Sequence, residues 1–256
     1  MSAPAVPPLE LPLEGFRIGV TSHRGSQDLI EALERRGAQV LHAPALQIAP
    51  AQEDMRLIVT PYRWVTSDGA DRLPRLIEAA CSGNLDVLTF TSAPAVDAVW
   101  STAHEMGLYS QLVASLKSTV TTAVIGPFTA QPLIDAGIRP LVPDRSRLSA
   151  LIRLVVEHLA LNHVRRLDTG SGRLELRGRS LRIDGKPVEL APAPLLLLRA
   201  LLGAGGAVLS RDSLAELLEL RGSVHALDTT VSRLRTALPD GRLVQTVVKR
   251  GYRLRV

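Results

Sequence analysis

The sequence predicts an α/β protein in which a parallel sheet covered by helices is followed by a second, smaller domain. Two changes along the chain support this prediction. Short apolar runs alternate with stretches of helical periodicity up to Ala160, whereas short strands bounded by glycines begin after Asn162. Net charge changes near the same place, from −3 over residues 1–164 to +8 over residues 165–256. We therefore expect a flexible N-terminus at residues 1–15, an α/β domain at residues 16–162 and a basic domain at residues 163–256.

Hydrophobic periodicity and glycine stops define the elements of the larger domain. The first strand, Phe16–Thr21, precedes a helix at Ser26–Arg36, which Gly37 ends because glycine tolerates positive φ. Alternation of strands with helices builds a parallel sheet covered on both faces, and ligands bind beyond the carboxyl ends of its strands. The other expected strands are Gln39–His42, Ile58–Val65, Val87–Phe90 and Val120–Ile125, and the other helices are Asp71–Ala80, Ala95–Glu105, Thr129–Ala136 and Leu148–Ala160.

The smaller domain is predicted to contain an antiparallel sheet, three helices and a terminal hairpin. Gly178 and Gly185 separate its first strands, and Ser210 is the expected N-cap of its second helix. The strands are Leu174–Leu176, Leu181–Asp184 and Val188–Leu190, the helices are Pro194–Leu202, Arg211–Leu220 and Ala226–Leu238, and the hairpin joins Leu243–Val248 to Tyr252–Val256.

The third helix of this domain has an apolar face and a polar face. Its apolar residues recur at helical spacing and are assigned to the core: Leu227, Val231, Leu234 and Leu238. The opposite face carries short polar residues beside an arginine, which suits the major groove of DNA, where Arg pairs with guanine. The hairpin turn places two cations beside a glycine, which suits phosphate or the minor groove. The candidate DNA-binding residues are Thr229, Thr230, Ser232, Arg233, Thr236, Lys249 and Arg250.

Three segments of the basic domain resemble the winged-helix effector domain of OmpR/PhoB-type response regulators: LRIDGKPVELAPAPLLLLRALLGAGGAVLSRDSLAELL, DTTVSRLRTAL and LVQTVVKRGYRL. The resemblance implies binding of double-stranded DNA; a winged helix used only for protein contacts is the alternative interpretation. Thr230 and Ser232 stand where that family often carries basic or His residues. The segments FRIGVTSH and VLTFTS lack the acidic residues of a receiver domain, so we do not expect control by aspartyl phosphorylation.

Small hydroxyl residues and a glycine follow three predicted strands of the larger domain. Ser or Thr at a strand-to-helix turn can cap the helix, and the same N–H groups can bind carboxylates. Gly126 permits a close approach of the backbone to a ligand. Capping alone is one interpretation of these loops, and ligand binding is the other. The candidate ligand-binding residues are Thr21, Ser22, Thr91, Ser92, Gly126 and Thr129.

Several segments of this domain resemble uroporphyrinogen-III synthase: LEGFRIGVTSHRGSQDLIEALERRGAQVLHAPALQIAP, LDVLTFTSAPAVDAVW and AVIGPFTAQPLIDAGI. That family closes linear hydroxymethylbilane between two α/β domains without metal or cofactor. The resemblance implies ligand contacts by Thr91, Ser92, Gly126 and Thr129, and a catalytic role for Tyr62 in leaving-group loss. Only one TS-x-x-AV and one GP-x-TA pattern occur here, and the chain passes from APALQIAPAQED to VTPYRWV where the family has a middle domain.

Three hypotheses of function follow. The chain is a DNA-binding transcriptional regulator whose α/β domain senses a small molecule such as a linear or cyclic tetrapyrrole, a synthase with an appended DNA-binding domain, or a regulator that the α/β domain dimerises. A homodimer is left open. The six histidines lack ligand spacing and the single cysteine cannot form an internal disulfide. We expect no cofactor, no metal, no membrane span and a cytoplasmic location.

Overall fold

The computed structural model describes residues 11–23, 25–50, 62–66, 71–169, 172–218 and 224–255. The chain divides into two units, residues 1–162 and 163–256. Of the N-terminal segment expected to be flexible, residues 1–10 lie outside the described residues. Residues 12–15 form a turn, and Leu13 is fully buried and donates its N–H to the carbonyl of Arg36 over 2.8 Å. Leu13 therefore packs as part of the first unit.

The first unit alternates strands and helices, as the periodicity predicted. The sequence analysis did not assign two of its elements, the strand at Leu46–Pro50 and the helix at Tyr109–Ser118. In chain order the elements are β1 (Arg17–Val20), α1 (Ser26–Glu34), β2 (Gln39–His42), β3 (Leu46–Pro50), β4 (Tyr62–Thr66), α2 (Arg72–Cys81), β5 (Val87–Phe90), α3 (Ala93–Glu105), α4 (Tyr109–Ser118), β6 (Thr121–Val124), α5 (Pro127–Asp135) and α6 (Leu148–Asn162).

Four of these strands form a parallel sheet in the order β2-β1-β5-β6, which confirms the predicted α/β class. Helices α1 and α6 contact each other, and α2, α3, α4 and α5 form a second layer. Side chains of a strand alternate between its two faces. Gly19 shows how closely the second layer packs, because a Cβ there would lie 2.8 Å from Leu76 Cδ1 and 2.9 Å from Leu88 Cδ1.

The strand order creates a switch point between β1 and β5. From β1 the chain turns through α1 to β2 on one side, and from β5 it turns through α3 and α4 to β6 on the other side. The loops that leave β1 and β5 therefore diverge at the carboxyl ends of two neighbouring strands. In open parallel sheets this divergence opens the crevice in which ligands bind.

The strands β3 and β4 form a separate antiparallel ribbon rather than joining the parallel sheet. Leu46 pairs with Thr66 at one end, and Pro50 pairs with Tyr62 at the other. The strand expected at Ile58–Val65 is therefore partly confirmed by β4, while residues 58–61 lie outside the described part of the chain.

The second unit begins with an antiparallel sheet in the order β10-β9-β8-β7. Its first strand, β7, was missed by the sequence analysis because Arg165 and Arg166 give it little apolar character. The elements are β7 (Val164–Thr169), β8 (Gly172–Arg177), β9 (Ser180–Ile183), β10 (Lys186–Val188), α7 (Pro192–Gly203), α8 (Arg211–Leu217), α9 (Val224–Ala237), a 3₁₀ turn (Gly241–Leu243), β11 (Val244–Val247) and β12 (Gly251–Leu254).

Three helices and a terminal hairpin surround one apolar core in this unit, as in a winged helix. The predicted apolar stripe of α9 is confirmed, because Leu227, Val231, Leu234 and Leu238 are all buried. Ser210 caps α8 as expected, accepting the N–H of Ser213. No helix in the described part of either unit is long and apolar enough to cross a membrane.

Candidate functional site

The solvent-facing side of α9 carries four of the predicted DNA-binding residues. Thr229, Ser232, Arg233 and Thr236 are exposed, and their spacing of three, one and three residues places them on one side of the helix. Thr229 and Thr236 donate their hydroxyl protons to the helix carbonyls of His225 and Ser232 over 2.8 and 3.1 Å. The hydroxyl lone pairs stay available as acceptors. We call these four residues the outer face of α9.

Thr230 does not belong to this face, so the sequence-based placement was wrong. Its side chain is 6% exposed, and its hydroxyl donates to the carbonyl of Ala226 over 2.8 Å. Thr230 was assigned to the polar face because threonine is a polar residue type. A threonine whose hydroxyl bonds within its own helix can point toward the core, because the polar atom is already satisfied.

His225 is an exposed residue of α9 that the sequence analysis missed. The helix was predicted to start at Ala226, whereas it starts at Val224. His225 therefore lies one turn before Thr229, beside the outer face. The first four backbone N–H groups of a helix have no intrahelical partner, and such an N-terminus can bind phosphate.

A three-residue network fixes α9 to the rest of the unit. The Arg211 guanidinium, at the start of α8, lies 2.5 Å from Asp228 Oδ1, and the Tyr252 hydroxyl of β12 donates to the same oxygen over 2.5 Å. Burial raises the pKa of Tyr252 above its ordinary 10.0, and the hydrogen bond to Asp228 raises it further. Because Asp228 precedes Thr229, the network sets the position of the outer face relative to β12.

The turn of the C-terminal hairpin presents the two predicted cations to solvent. It comprises Val248, Lys249 and Arg250, all exposed, with Lys249 at a φ of 59°. The following Gly251 has a φ of 136°, which L side chains rarely adopt. The structure therefore brings Lys249 and Arg250 together at one tip, which we call the wing tip.

The loops of the first unit meet at the switch point between β1 and β5. Thr21 is almost fully buried and donates its hydroxyl to the carbonyl of Thr89 over 2.8 Å, so this hydroxyl ties the two strands together. Ser22 is 4% exposed, and its Oγ has no hydrogen-bond partner among the described residues. His42 Nε2 lies 2.9 Å from the carbonyl oxygen of Ser22 and must be the donor. An unpaired buried hydroxyl costs free energy unless something satisfies it.

The neighbouring loops contribute two helix N-termini. Ser92 occupies the N-cap of α3 and Gly126 that of α5, and neither helix end has a side-chain capping bond. Capping alone therefore does not account for Ser92. Thr129 is 5% exposed and donates its N–H to the carbonyl of Gly126 over 3.1 Å. We call the space bordered by Ser22, Thr91, Ser92 and Gly126 the switch-point crevice.

The chain itself approaches the crevice at Gly126. A Cβ added to this residue would lie 2.5 Å from Ser146 Oγ, so only glycine leaves room for the Ser146 side chain. The candidate Tyr62 is the first residue of β4, opposite Pro50 in the separate ribbon. The structure thus brings the sheet-end candidates together but places Tyr62 in a different sheet. No group of three or more His, Cys, Asp or Glu residues among those described could hold a metal.

Two different protein-family models match the chain, one in each unit. The family model described as uroporphyrinogen-III synthase HemD matches residues 57–153. The family model described as transcriptional regulatory protein, C terminal, matches residues 185–254. The first unit is thus similar to the synthase family, and the second to the C-terminal domain of transcriptional regulators, as both resemblances implied.

Two of the curated relatives match part of this chain. The transcriptional regulatory proteins CseB of Streptomyces avermitilis and Streptomyces coelicolor are each 36% identical over 92 residues. The match spans 35% of this chain and 39% of each relative, so it covers less than half the length of either.

Solved structures are similar to parts of this chain. The Klebsiella pneumoniae RstA DNA-binding domain in complex with the RstA box is 26% identical, with a TM-score of 0.30, over 35% of this chain and 95% of that one. Thermus thermophilus uroporphyrinogen III synthase is 24% identical, with a TM-score of 0.33, over 58% of this chain and 53% of that one.

Proposed function

We propose that this protein is a cytoplasmic, DNA-binding transcriptional regulator whose first unit binds a small anionic ligand. The DNA-binding part of this proposal is supported by the exposed outer face of α9 and by the cationic wing tip of the same unit. A helix with short hydroxyl side chains flanking an arginine can lie deep in the major groove, and Lys249 and Arg250 can reach phosphate or the minor groove. The match to the C-terminal domain of transcriptional regulators supports the same function.

Arg233→Ala is expected to weaken binding to a duplex that the wild-type chain selects from a random pool. An arginine paired with guanine contributes about 1–3 kcal/mol, so the dissociation constant should rise about tenfold or more at fixed salt. Fluorescence anisotropy measures it. Lys186→Ala is the matched control, because Lys186 is an exposed cation of β10 in the same unit. An unchanged affinity of the Arg233 variant would remove this residue from the interface.

The ligand-binding part rests on the switch-point crevice. Two helix N-termini without side-chain caps offer N–H groups with a partial positive charge, and the buried Ser22 Oγ offers a hydrogen bond without a partner. Such groups bind carboxylates. The match to the synthase family supports a ligand of the tetrapyrrole class. The described residues of this unit form one parallel sheet with one set of these loops, so the crevice they border has one wall. We therefore propose binding rather than catalysis.

Ser92→Ala is expected to weaken the binding of uroporphyrin III, a stable octacarboxylate, about tenfold, because one charge-assisted hydrogen bond contributes about 1.5–3 kcal/mol. Quenching of porphyrin fluorescence measures the affinity, and Ser101→Ala, on the exposed side of α3, is the control. If the Ser92→Ala and Ser101→Ala variants bind uroporphyrin III with equal affinity, the ligand does not contact Ser92. A parallel assay with hydroxymethylbilane should yield only isomer I of uroporphyrin; isomer III above background would show instead that the chain is a synthase.

A further inference from the structure

A depression of about 700 Å³ runs along the free edge of β11 and is lined by arginines. It extends from Val248 at the wing tip to Arg242 and Arg255 at the other end of the hairpin, and Arg235 of α9 and Arg253 of β12 also line it. No acidic residue lines it. We call it the hairpin groove.

The charge of the hairpin groove is largely uncompensated. Residues 241–255 contain five Lys and Arg and no Asp or Glu. Arg242 lies 3.1 Å from Asp240. Arg235, Arg253 and Arg255 form no ion pair with any carboxylate among the described residues; Arg253 donates to the amide oxygen of Gln245 over 3.0 Å instead. An anionic partner is therefore the occupant that matches the charge of this surface.

The backbone edge of β11 adds a hydrogen-bond donor to this charge. Leu243 and Val247 direct their carbonyls to the β12 side, where they accept the N–H groups of Arg255 and Arg250. Because successive residues of a strand alternate, Thr246 directs its N–H away from β12, into the groove. The Val244 N–H is already bonded to the carbonyl of Gly241. Phosphate oxygens accept such N–H groups as readily as they accept arginine donors.

The same edge is poorly suited to an added strand. The Arg235 guanidinium donates to the carbonyl of Val244 over 2.7 Å and to Thr246 Oγ1 over 2.8 Å, so it lies across the edge where a partner strand would have to pair. A charged side chain in this position blocks strand addition. An extended acidic peptide is therefore a less favourable occupant than a DNA backbone, because phosphates do not have to form the paired backbone hydrogen bonds of an added strand.

We propose that the hairpin groove binds the DNA backbone, with Arg253 and Arg255 contacting phosphates beyond those that the wing tip reaches. This inference rests on the proposed DNA-binding function. The groove begins at Val248 within the wing tip, so one phosphate strand can continue from Lys249 and Arg250 along β11 without leaving the surface. With these contacts, the DNA footprint of the unit is longer than the wing tip alone provides, and the end of the hairpin contacts phosphates.

The test is the salt dependence of binding of the full chain to a fluorescent random-sequence duplex. Each phosphate contact contributes about 0.9 to the slope of log K against log salt. The double variant Arg253→Gln, Arg255→Gln should lower the slope by about 2. Replacement of both by Lys should restore it, because phosphate contacts need only the charge. Arg165→Gln with Arg173→Gln removes the same charge from the sheet formed by β7 and β8 and should leave the slope unchanged.

The outcomes separate this inference from the function on which it rests. A wild-type chain that fails to bind DNA overturns both. If the wild-type chain binds DNA and the Arg253 and Arg255 variant has the same salt slope, only the groove contact is overturned. The same conclusion follows if the Arg165 and Arg173 control variant lowers the salt slope by an equal amount. If that variant keeps its DNA slope but loses binding to a poly-glutamate peptide, the groove serves an acidic protein. Hydrogen exchange of residues 243–254 shows whether each variant keeps the hairpin folded.

Discussion

Gly251→Ala is expected to destabilise the second unit by at least about 3 kcal/mol and to abolish DNA binding. The added Cβ would lie 1.9 Å from the carbonyl oxygen of Leu209, at a φ of 136° that alanine avoids. Relief of this clash must separate two chain segments that exchange hydrogen bonds, since Leu209 and Tyr252 donate to each other's carbonyls over 2.9 and 3.0 Å. The hairpin would then lose its attachment to the helices.

Hydrogen exchange on the full chain measures this effect unit by unit. Tyr252 is the only aromatic residue of the second unit, so tryptophan fluorescence reports on the first unit alone. Gly203→Ala is the control, because Gly203 ends α7 and has open space around its Cβ position. It should be neutral or stabilise the unit by up to about 1 kcal/mol. Comparable exchange rates in the two variants would contradict the steric argument.

Phe90→Ala should lower the stability of the first unit by about 3–5 kcal/mol, the usual effect of emptying a buried aromatic site. Phe90 is fully buried at the end of β5, directly before the Thr91 loop, and its carbonyl accepts the N–H of Ile125 over 3.0 Å. The cavity would therefore loosen the ends of β5 and β6, which carry two of the loops of the switch-point crevice. We expect porphyrin binding to fall with stability.

Tryptophan fluorescence during denaturant unfolding measures this change, because Trp64 and Trp100 both belong to the first unit. Phe90→Leu keeps most of the volume and should cost less than about 1.5 kcal/mol. DNA binding of the Phe90→Ala chain should stay unchanged, since the second unit has its own core. Loss of DNA binding would show that the two units are coupled.

Strong periodicity made most of the fold predictable. The leucines and valine of α9 recur every three or four residues, so the core side of that helix could be assigned from sequence alone. In contrast, α4 buries only Leu112, Ser115 and Leu116, and two leucines one turn apart give too short a stripe to be distinguished from a loop. Helix-versus-loop assignments fail where the buried face is this narrow.

The sequence predicted which loops carry the candidate site residues, but not which of their hydroxyl groups are already hydrogen-bonded. Sequence patterns selected Ser22, Thr91 and Gly126, and the strand order then placed their loops on neighbouring strands. Whether a hydroxyl is already bonded depends on contacts across the sheet: Thr21 bonds to Thr89, while Ser22 Oγ has no partner among the described residues. Thr230 was misplaced for the same reason, because its bond to Ala226 satisfies it inside the protein.

The ribbon formed by β3 and β4 has a consequence for how this protein tolerates changes in chain length. Pro50 and Tyr62 are opposite each other in its register, so the chain leaves the ribbon and returns to it at nearly the same point. Closing a loop on such paired ends costs little more free energy as the loop grows, about 0.6 kcal/mol for each doubling of its length. A folded domain can therefore be inserted or removed at this point with little effect on the parallel sheet, so the ribbon is a natural boundary for changes in domain content.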